Sequence, residues 1–269
     1  MTLPTIFLNG IGAFGPGFDD WPSLSAMLRG EVAWSSTATQ APTPQALPAA
    51  ERRRVGMSVR LALAAGFEAT AHAHADPVLL ASVFSSSSGD GQICDGLCET
   101  LASNDRLISP TRFHNSVHNA ASGYWSIATG CMAASTSLCA HDASFAAGML
   151  EVATQIAVTD DDHLLIAYDT PYPEPMQSCR PLYDAAGIGL VFSKHPRAQS
   201  IAALQVSLAE SSVTPCPIQA MTALQTGIPA ARGLPLLSVI AKQEAGAVYV
   251  QYLDPLALRI EVKPCRANC

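Results

Sequence analysis

This sequence is short of charge. Asp, Glu, Lys and Arg make up 14% of its 269 residues, against roughly a quarter in an ordinary soluble domain. A surface so poor in charge is expected to be partly covered, by layers of its own fold or by a partner. The charge that is present is acidic, 15 Lys and Arg against 22 Asp and Glu for a net of −7. That balance argues against a nucleic-acid partner, which needs a basic face to displace counterions from phosphates. No run approaches the ~20 apolar residues that span a bilayer, so no membrane insertion is expected. No basic residue precedes Arg29, so the start does not read as a secretory signal. Eight cysteines are too few for a disulfide scaffold and are expected as reduced thiols of a cytoplasmic protein. Cys94/Cys98 and Cys265/Cys269 have CxxxC spacing without a CxxC knuckle or a nearby His, so no metal and no cofactor are expected there. Neither a GxSxG elbow nor a P-loop is present, which leaves a hydrolase or an NTPase without support.

What is there reads as a core-forming α/β chain. Apolar residues make up 49%, and no repeat or linker divides them, so residues 1–269 are expected to form one domain. Thr5–Asn9 is strand-like and runs into glycines. Ser23–Arg29 reads as a helix, and Ser35–Pro48 as a polar, Pro-rich loop. Glu51–His74 carries Val55, Val59, Leu63 and Phe67 at helical spacing. Pro77–Ser85 is a continuous apolar run, as in a strand buried on both faces. Ser85–Gly91 is a turn-rich loop, His118–Ala128 and Asp142–Ala157 look helical, and His163–Tyr168 is a second buried strand. Such alternation implies a parallel or mixed sheet flanked by helices. From residue 196 the character changes. Ile201–Ala209, Leu234–Ala241, Ala247–Leu253 and Leu256–Val262 read as strands, with one helix-like stretch at Ile218–Thr226. Residues 196–269 are therefore expected to be a reduced, strand-rich half that supplies a second sheet.

Three motifs invite chemistry and are better explained without it. Gly10-Ile-Gly12-Ala-Phe-Gly15 is a GxGxxG after a strand, with Glu31 at a distance suited to a ribose contact. In a dinucleotide site that motif opens a helix, yet Pro16-Gly17 follows at once, so a glycine turn is expected. His114 and His118 stand four apart, but Pro110 places His114 in a loop and no third ligand is evident. Asp160-Asp161-Asp162 lies between a helix and a strand, where a solvated turn is expected.

The stretch from Ser109 to Tyr168 says most. Ser109-Pro-Thr-Arg-Phe-His-Asn-Ser-Val-His-Asn119 precedes a small-residue helix to Gly130. A Ser/Thr-rich strand follows (Ala134–Ala140), then a helix beginning near Asp142. A strand that delivers the chain into a buried helix N-terminus is where an activated nucleophile is often placed, because the free N–H groups stabilise an anion. With Ile6-Phe-Leu-Asn-Gly-Ile-Gly12, the Glu51–His74 helix, Arg180-Pro-Leu-Tyr-Asp184 and Gly187-Ile-Gly-Leu-Val191, this order and spacing resembles the β-ketoacyl synthases over roughly residues 3–194. These are condensing enzymes of the thiolase fold. The variant resembled most is the short ketosynthase-like chain-length factor type of aryl-polyene pathways.

The resemblance implies a thiolase-like layered fold and also what is missing from it. Aligned without gaps from Asn119 to Tyr168, the family's nucleophilic Cys falls on Asp142, which cannot carry a thioester. Cys139 lies three residues upstream, inside the strand, with its thiol expected in packing. The family draws two histidines from its second half, whereas beyond His163 only His195 remains, in a Lys-His-Pro turn. No catalytic residue is therefore expected, and Asp142 is expected to cap the 142–157 helix, a role its side chain suits. The resemblance further implies a heterodimer with an active ketosynthase, reached by acyl carrier protein through the complex. Ala134, Ser135, Thr136, Ser137, Leu138, Cys139 and Ala140 would pair across the dimer axis. Thr111, Arg112, Phe113 and His114 would gate the partner's tunnel. Two other readings stand beside it: an acyltransferase acting through Cys139, and a binding protein that keeps the fold for unrelated reasons.

Overall fold

The computed structural model describes residues 3–265. β1 (Ile6–Phe14), α1 (Trp21–Leu28), α2 (Ala49–Arg52), α3 (Met57–His72), β2 (Ala81–Ser85), α4 (Gly91–Ala102) and α5 (Pro110–Asn115) come first. α6 (Ala120–Thr129), β3 (Ser135–Leu138), α7 (Ser144–Val158), β4 (His163–Asp169), α8 (Met176–Cys179) and β5 (Ala186–Ser193) follow. β6 (Ala202–Glu210), α9 (Thr222–Gly227), α10 (Leu234–Ala241), β7 (Gly246–Gln251) and β8 (Leu256–Pro264) complete the order. The strands form one eight-stranded sheet, β3-β2-β4-β5-β1-β6-β8-β7. β2 is parallel to β3 and β4, and the other pairings are antiparallel. The strands after residue 196 thus extend the first sheet through β6 on β1 and do not build a second one.

α3 and α6 cover one face of the sheet, with Trp125, Tyr124, Phe84 and Ile166 in that core. α7, α1 and α10 pack into the core of the other face, around Phe145, Met149, Leu190 and Leu237. β2, β4 and β5 are buried along their whole length, which is why their sequences run apolar without alternation.

The glycine motif lies inside β1 and makes no turn until Gly15. A Cβ on Gly12 would stand 2.2 Å from the Ala65 carbonyl oxygen, and one on Gly10 would stand 2.3 Å from that of Ala69. These glycines let the α3 backbone sit against the sheet. On its other flank β1 is only partly paired, since β6 stops at the Leu8–Ala202 pair. The amides that follow are taken up by two α3 side chains one turn apart. Ile11 N–H donates to His72 Nδ1 (3.1 Å), and Ala13 N–H donates to Glu68 Oε2 (2.8 Å). Glu68 also accepts from the Trp21 amide at the start of α1.

Two other expectations change. Leu234–Ala241 is a helix, not a strand. Seven of its eight residues are buried, so all positions but Ser238 are apolar and no period is visible, while Pro235 at its first turn suits a helix start. The Glu51–His74 helix is broken at residues 53–56 into α2 and α3. The helix-like stretch expected at Ile218–Thr226 is helical, a 3-10 turn at Gln219–Met221 leading into α9. Asp160 and Asp162 hold Lys194 (3.1 Å) and Arg197 (2.6 Å) in a charged turn. Cys269 lies outside the described residues. No described helix is long and apolar enough to cross a membrane.

Candidate functional site

The C-terminal ends of the parallel strands β2, β3 and β4 open onto one place, where ligands bind in open α/β sheets. Past β3 the chain makes a 3-10 turn at His141–Ala143 before α7. His141 there has φ +51. Asp142 does not cap α7. No side chain caps α7, whose N-cap is Ala143; Ser144 instead braces the preceding turn, its Oγ accepting from the Ala140 amide (3.1 Å) and donating to the His141 carbonyl (2.7 Å). The Asp142 carboxylate turns instead to two arginines. Arg180 Nη2 donates to Oδ1, and Arg232 Nη2 stands 3.1 Å from Oδ2.

Each arginine is placed by its own supports. Arg180 Nη1 donates to the Tyr172 hydroxyl, which lies 3.0 Å from Ser87 Oγ in the loop after β2. Arg232 comes from a 3-10 turn at Pro229–Gly233 and donates to the Thr226 carbonyl (3.3 Å). Asp169, fully buried at the end of β4, ties the two sides together. Its Oδ1 accepts from the Ser87 amide (2.7 Å) and its Oδ2 from the Ala230 amide (2.8 Å).

The two carboxylates respond oppositely. For Asp142, partial burial disfavours the charge, but the Arg180 hydrogen bond and the charges of Arg232 and Arg180 outweigh it and lower the pKa. For Asp169, burial dominates over its hydrogen bonds from Ser87 and Ala230 and pushes the pKa up to about 6. Burial also pushes Arg232 down despite the Asp142 charge, and its guanidinium stays protonated all the same. A carboxylate held by two guanidinium groups is stable as an anion and poor as a nucleophile or a base. The interior beside α7 is filled, since a Cβ on Gly233 would meet the Phe145 ring at 2.3 Å.

Cys139 sits one residue beyond β3 and is exposed, not packed inside the strand as expected. Its thiol donates to the Ser87 carbonyl at 3.0 Å. Of the expected Ala134–Ala140 strand, Ser135–Leu138 forms β3, an edge strand. Thr111–His114 belongs to α5 and not to a loop, with Ser109 as its N-cap and Pro110 at its first turn. Arg112, Phe113 and His114 are exposed, Phe113 at 61%. His114 stacks edge-on against Tyr124 (6.4 Å), whereas His118 Nε2 lies 3.3 Å from the Ser86 carbonyl, so the two rings do not converge. His195 is exposed near Asp160 (3.6 Å).

Sequence reasoning placed Asp142 here but missed Arg232, Asp169 and Tyr172. Arg232 did leave a signal, as the sole charge in the apolar stretch 228–241. Asp169 left none.

Three solved structures share this architecture. A chain from the ketosynthase ApeO in complex with its chain length factor ApeC, from Xenorhabdus doucetiae, aligns at TM-score 0.70 and 20% identity over 96% of this chain and 99% of that one. One from the ishigamide ketosynthase/chain length factor aligns at TM-score 0.69 and 13% identity over 97% and 100%. A β-ketoacyl synthase from Burkholderia phymatum STM815 aligns at 0.59 and 14% over 86% and 71%. At such identities these likenesses carry the fold, the thiolase-like ketosynthase fold. No curated protein matches the chain. Residues 28–251 match the profile of the β-ketoacyl synthase N-terminal domain, well past residue 194, and by that match the chain belongs to the β-ketoacyl synthase N-terminal domain family.

Proposed function

We propose that this chain is a non-catalytic ketosynthase-like subunit, a chain-length factor that pairs with an active β-ketoacyl synthase in polyene- or fatty-acid-type chain elongation. One observation carries the reading. Asp142, aligned with the family's nucleophile, has its carboxylate committed to Arg180 and Arg232 and is unable to hold a thioester. The likeness to chains from ketosynthase–chain length factor complexes supports a ketosynthase partner. Acyl carrier protein would then be met through the complex. The low charge content agrees, because obligate interfaces are depleted in charge.

In this reading β3 meets the partner and α5 shapes its acyl tunnel, with Arg112 and Phe113 at the tip. Bulk stops a growing chain, and a charged end is costly to push past. Incubation of the purified chain with an acylated carrier protein should leave no covalent adduct by intact-mass spectrometry. Co-expression with a ketosynthase should raise its soluble yield and give a stable heterodimer. An adduct on Cys139, which is exposed beside the site, would replace this reading with that of an acyltransferase. Changing Arg112 and Phe113 to Ala should leave the heterodimer intact and lengthen its product, and an unchanged product from an intact complex would reject the gate.

A further inference from the structure

The Asp142 cluster is unbalanced as an ion pair. Two guanidinium groups contact one carboxylate, while Asp169 reaches both arginines only through its charge at a distance, its oxygens being spent on uncharged donors. Arg232 is 8% exposed, and its Nε finds no hydrogen-bond partner. A buried N–H of that kind is costly to leave unmade, and here it belongs to a cation. Space lies against both arginines. A cavity of about 100 Å³ is walled by Asp142, Arg180, Leu182, Thr226 and Pro229, and one of about 70 Å³ by Gln225, Thr226 and Arg232. Asp142 itself is a third exposed, so the contact between carboxylate and arginines is reachable from solvent.

We propose that Arg180 and Arg232 form a binding site for a small carboxylate, in which Asp142 is the resident, tethered ligand. The two arginines are held in place independently of Asp142, by Tyr172 on one side and by the Thr226 carbonyl and the Asp169-anchored turn on the other. The site is therefore preformed. A tethered occupant competes at the high effective concentration that its short linkage gives it, so a free carboxylate binds the native chain weakly and binds well once the tether is cut. The proposal does not depend on the ketosynthase-partner reading, since it concerns only this chain.

Formate, the group that Asp142→Ala removes, is the probe. The full chain, its Asp142→Ala and Asp142→Asn variants, and Asp142→Ala combined with Arg232→Met are titrated with sodium formate against sodium chloride at equal ionic strength. Thermal unfolding is the readout. Asp142→Ala should be stabilised saturably, with an apparent affinity at least about tenfold tighter than that of the native chain. Asp142→Asn, whose amide still fills the place, should gain nothing beyond the chloride control, and loss of Arg232 should abolish the gain. A formate shift no larger in Asp142→Ala than in Asp142→Asn would overturn the proposal. Should Asp142→Ala fail to fold in chloride, refolding in formate alone supports it. Refolding in neither salt passes the decision to the native chain: a weak saturable stabilisation by formate that Arg232→Met abolishes supports the proposal, and no such stabilisation, or one that Arg232→Met leaves unchanged, overturns it.

Discussion

Two regions of this molecule draw a carboxylate partly out of water, and they do so by opposite means. Beyond the end of β3, Asp142 meets two arginines and its charge is favoured. On the open flank of β1, Glu68 faces only amides, those of Trp21 and Ala13, with Asp20 and Asp19 nearby. Burial dominates there and raises its pKa to about 7. Asp169 follows the Glu68 pattern in the midst of the Asp142 cluster. The lesson is that amides can orient a buried carboxylate without holding its charge, whereas guanidinium groups do both. One kind of site organises backbone and the other stores charge.

The comparison breaks most visibly at Asp169. Asp169→Ala leaves the Ser87 and Ala230 amides buried without an acceptor, at about 1–3 kcal/mol each. A loss on the order of 4 kcal/mol is expected by denaturant unfolding, and a loss under about 1 kcal/mol would mean that water replaces the carboxylate.

The pH dependence sharpens the contrast. Glu68 and Asp169 have raised pKa values, so their contribution is fully present below the unfolded values near 4.5 and 3.8 and is lost as pH rises through about 7 and about 6. Asp142 runs the other way, contributing above pH 3.8 and losing that contribution as pH falls below it. Glu68→Gln should therefore flatten the fall in melting temperature between pH 5 and 7.5 without altering behaviour below pH 4. An unchanged slope would show that Glu68 is solvated in solution.

A smaller effect on the chain itself is expected at the sheet edge. Ser82 N and Ser86 N bond to the Ala134 and Leu138 carbonyls, so by the alternation of a parallel ladder the Ser137 amide points away from β2. Ser137→Pro should cost the isolated chain less than about 1 kcal/mol yet reduce co-purification of a ketosynthase partner by at least about tenfold. Full retention of the partner would move the interface elsewhere.

Much of the layered architecture was legible because β2 and β4 are buried on both faces, and because α3 shows its period in Val59, Leu63 and Phe67. Leu234–Ala241 was not, since a segment buried all round carries no period to read. The glycines of β1 were misread for a related reason, because close approach of a helix and a tight turn select the same residue. In the site, Asp142 was found through its place between a strand and a helix. Its role as an arginine ligand was hidden, because Arg180 and Arg232 lie 38 and 90 positions further along the chain and no local pattern links them.

The two borders of the sheet are not alike. The β7 border is capped from within the chain at its middle residue, with Thr214 N donating to the Tyr249 carbonyl and Tyr249 N donating to Thr214 Oγ1 (both 2.8 Å). The β3 border carries no such cover among the described strand pairings. A sheet with two open borders can be extended at both ends without limit, which is the geometry of fibres. With only one open, joining a second sheet uses up the valence of the first. Of the two borders, β3 is the one left open along its whole length, and an assembly joined by strand addition there alone stops at two chains, whatever the second chain is.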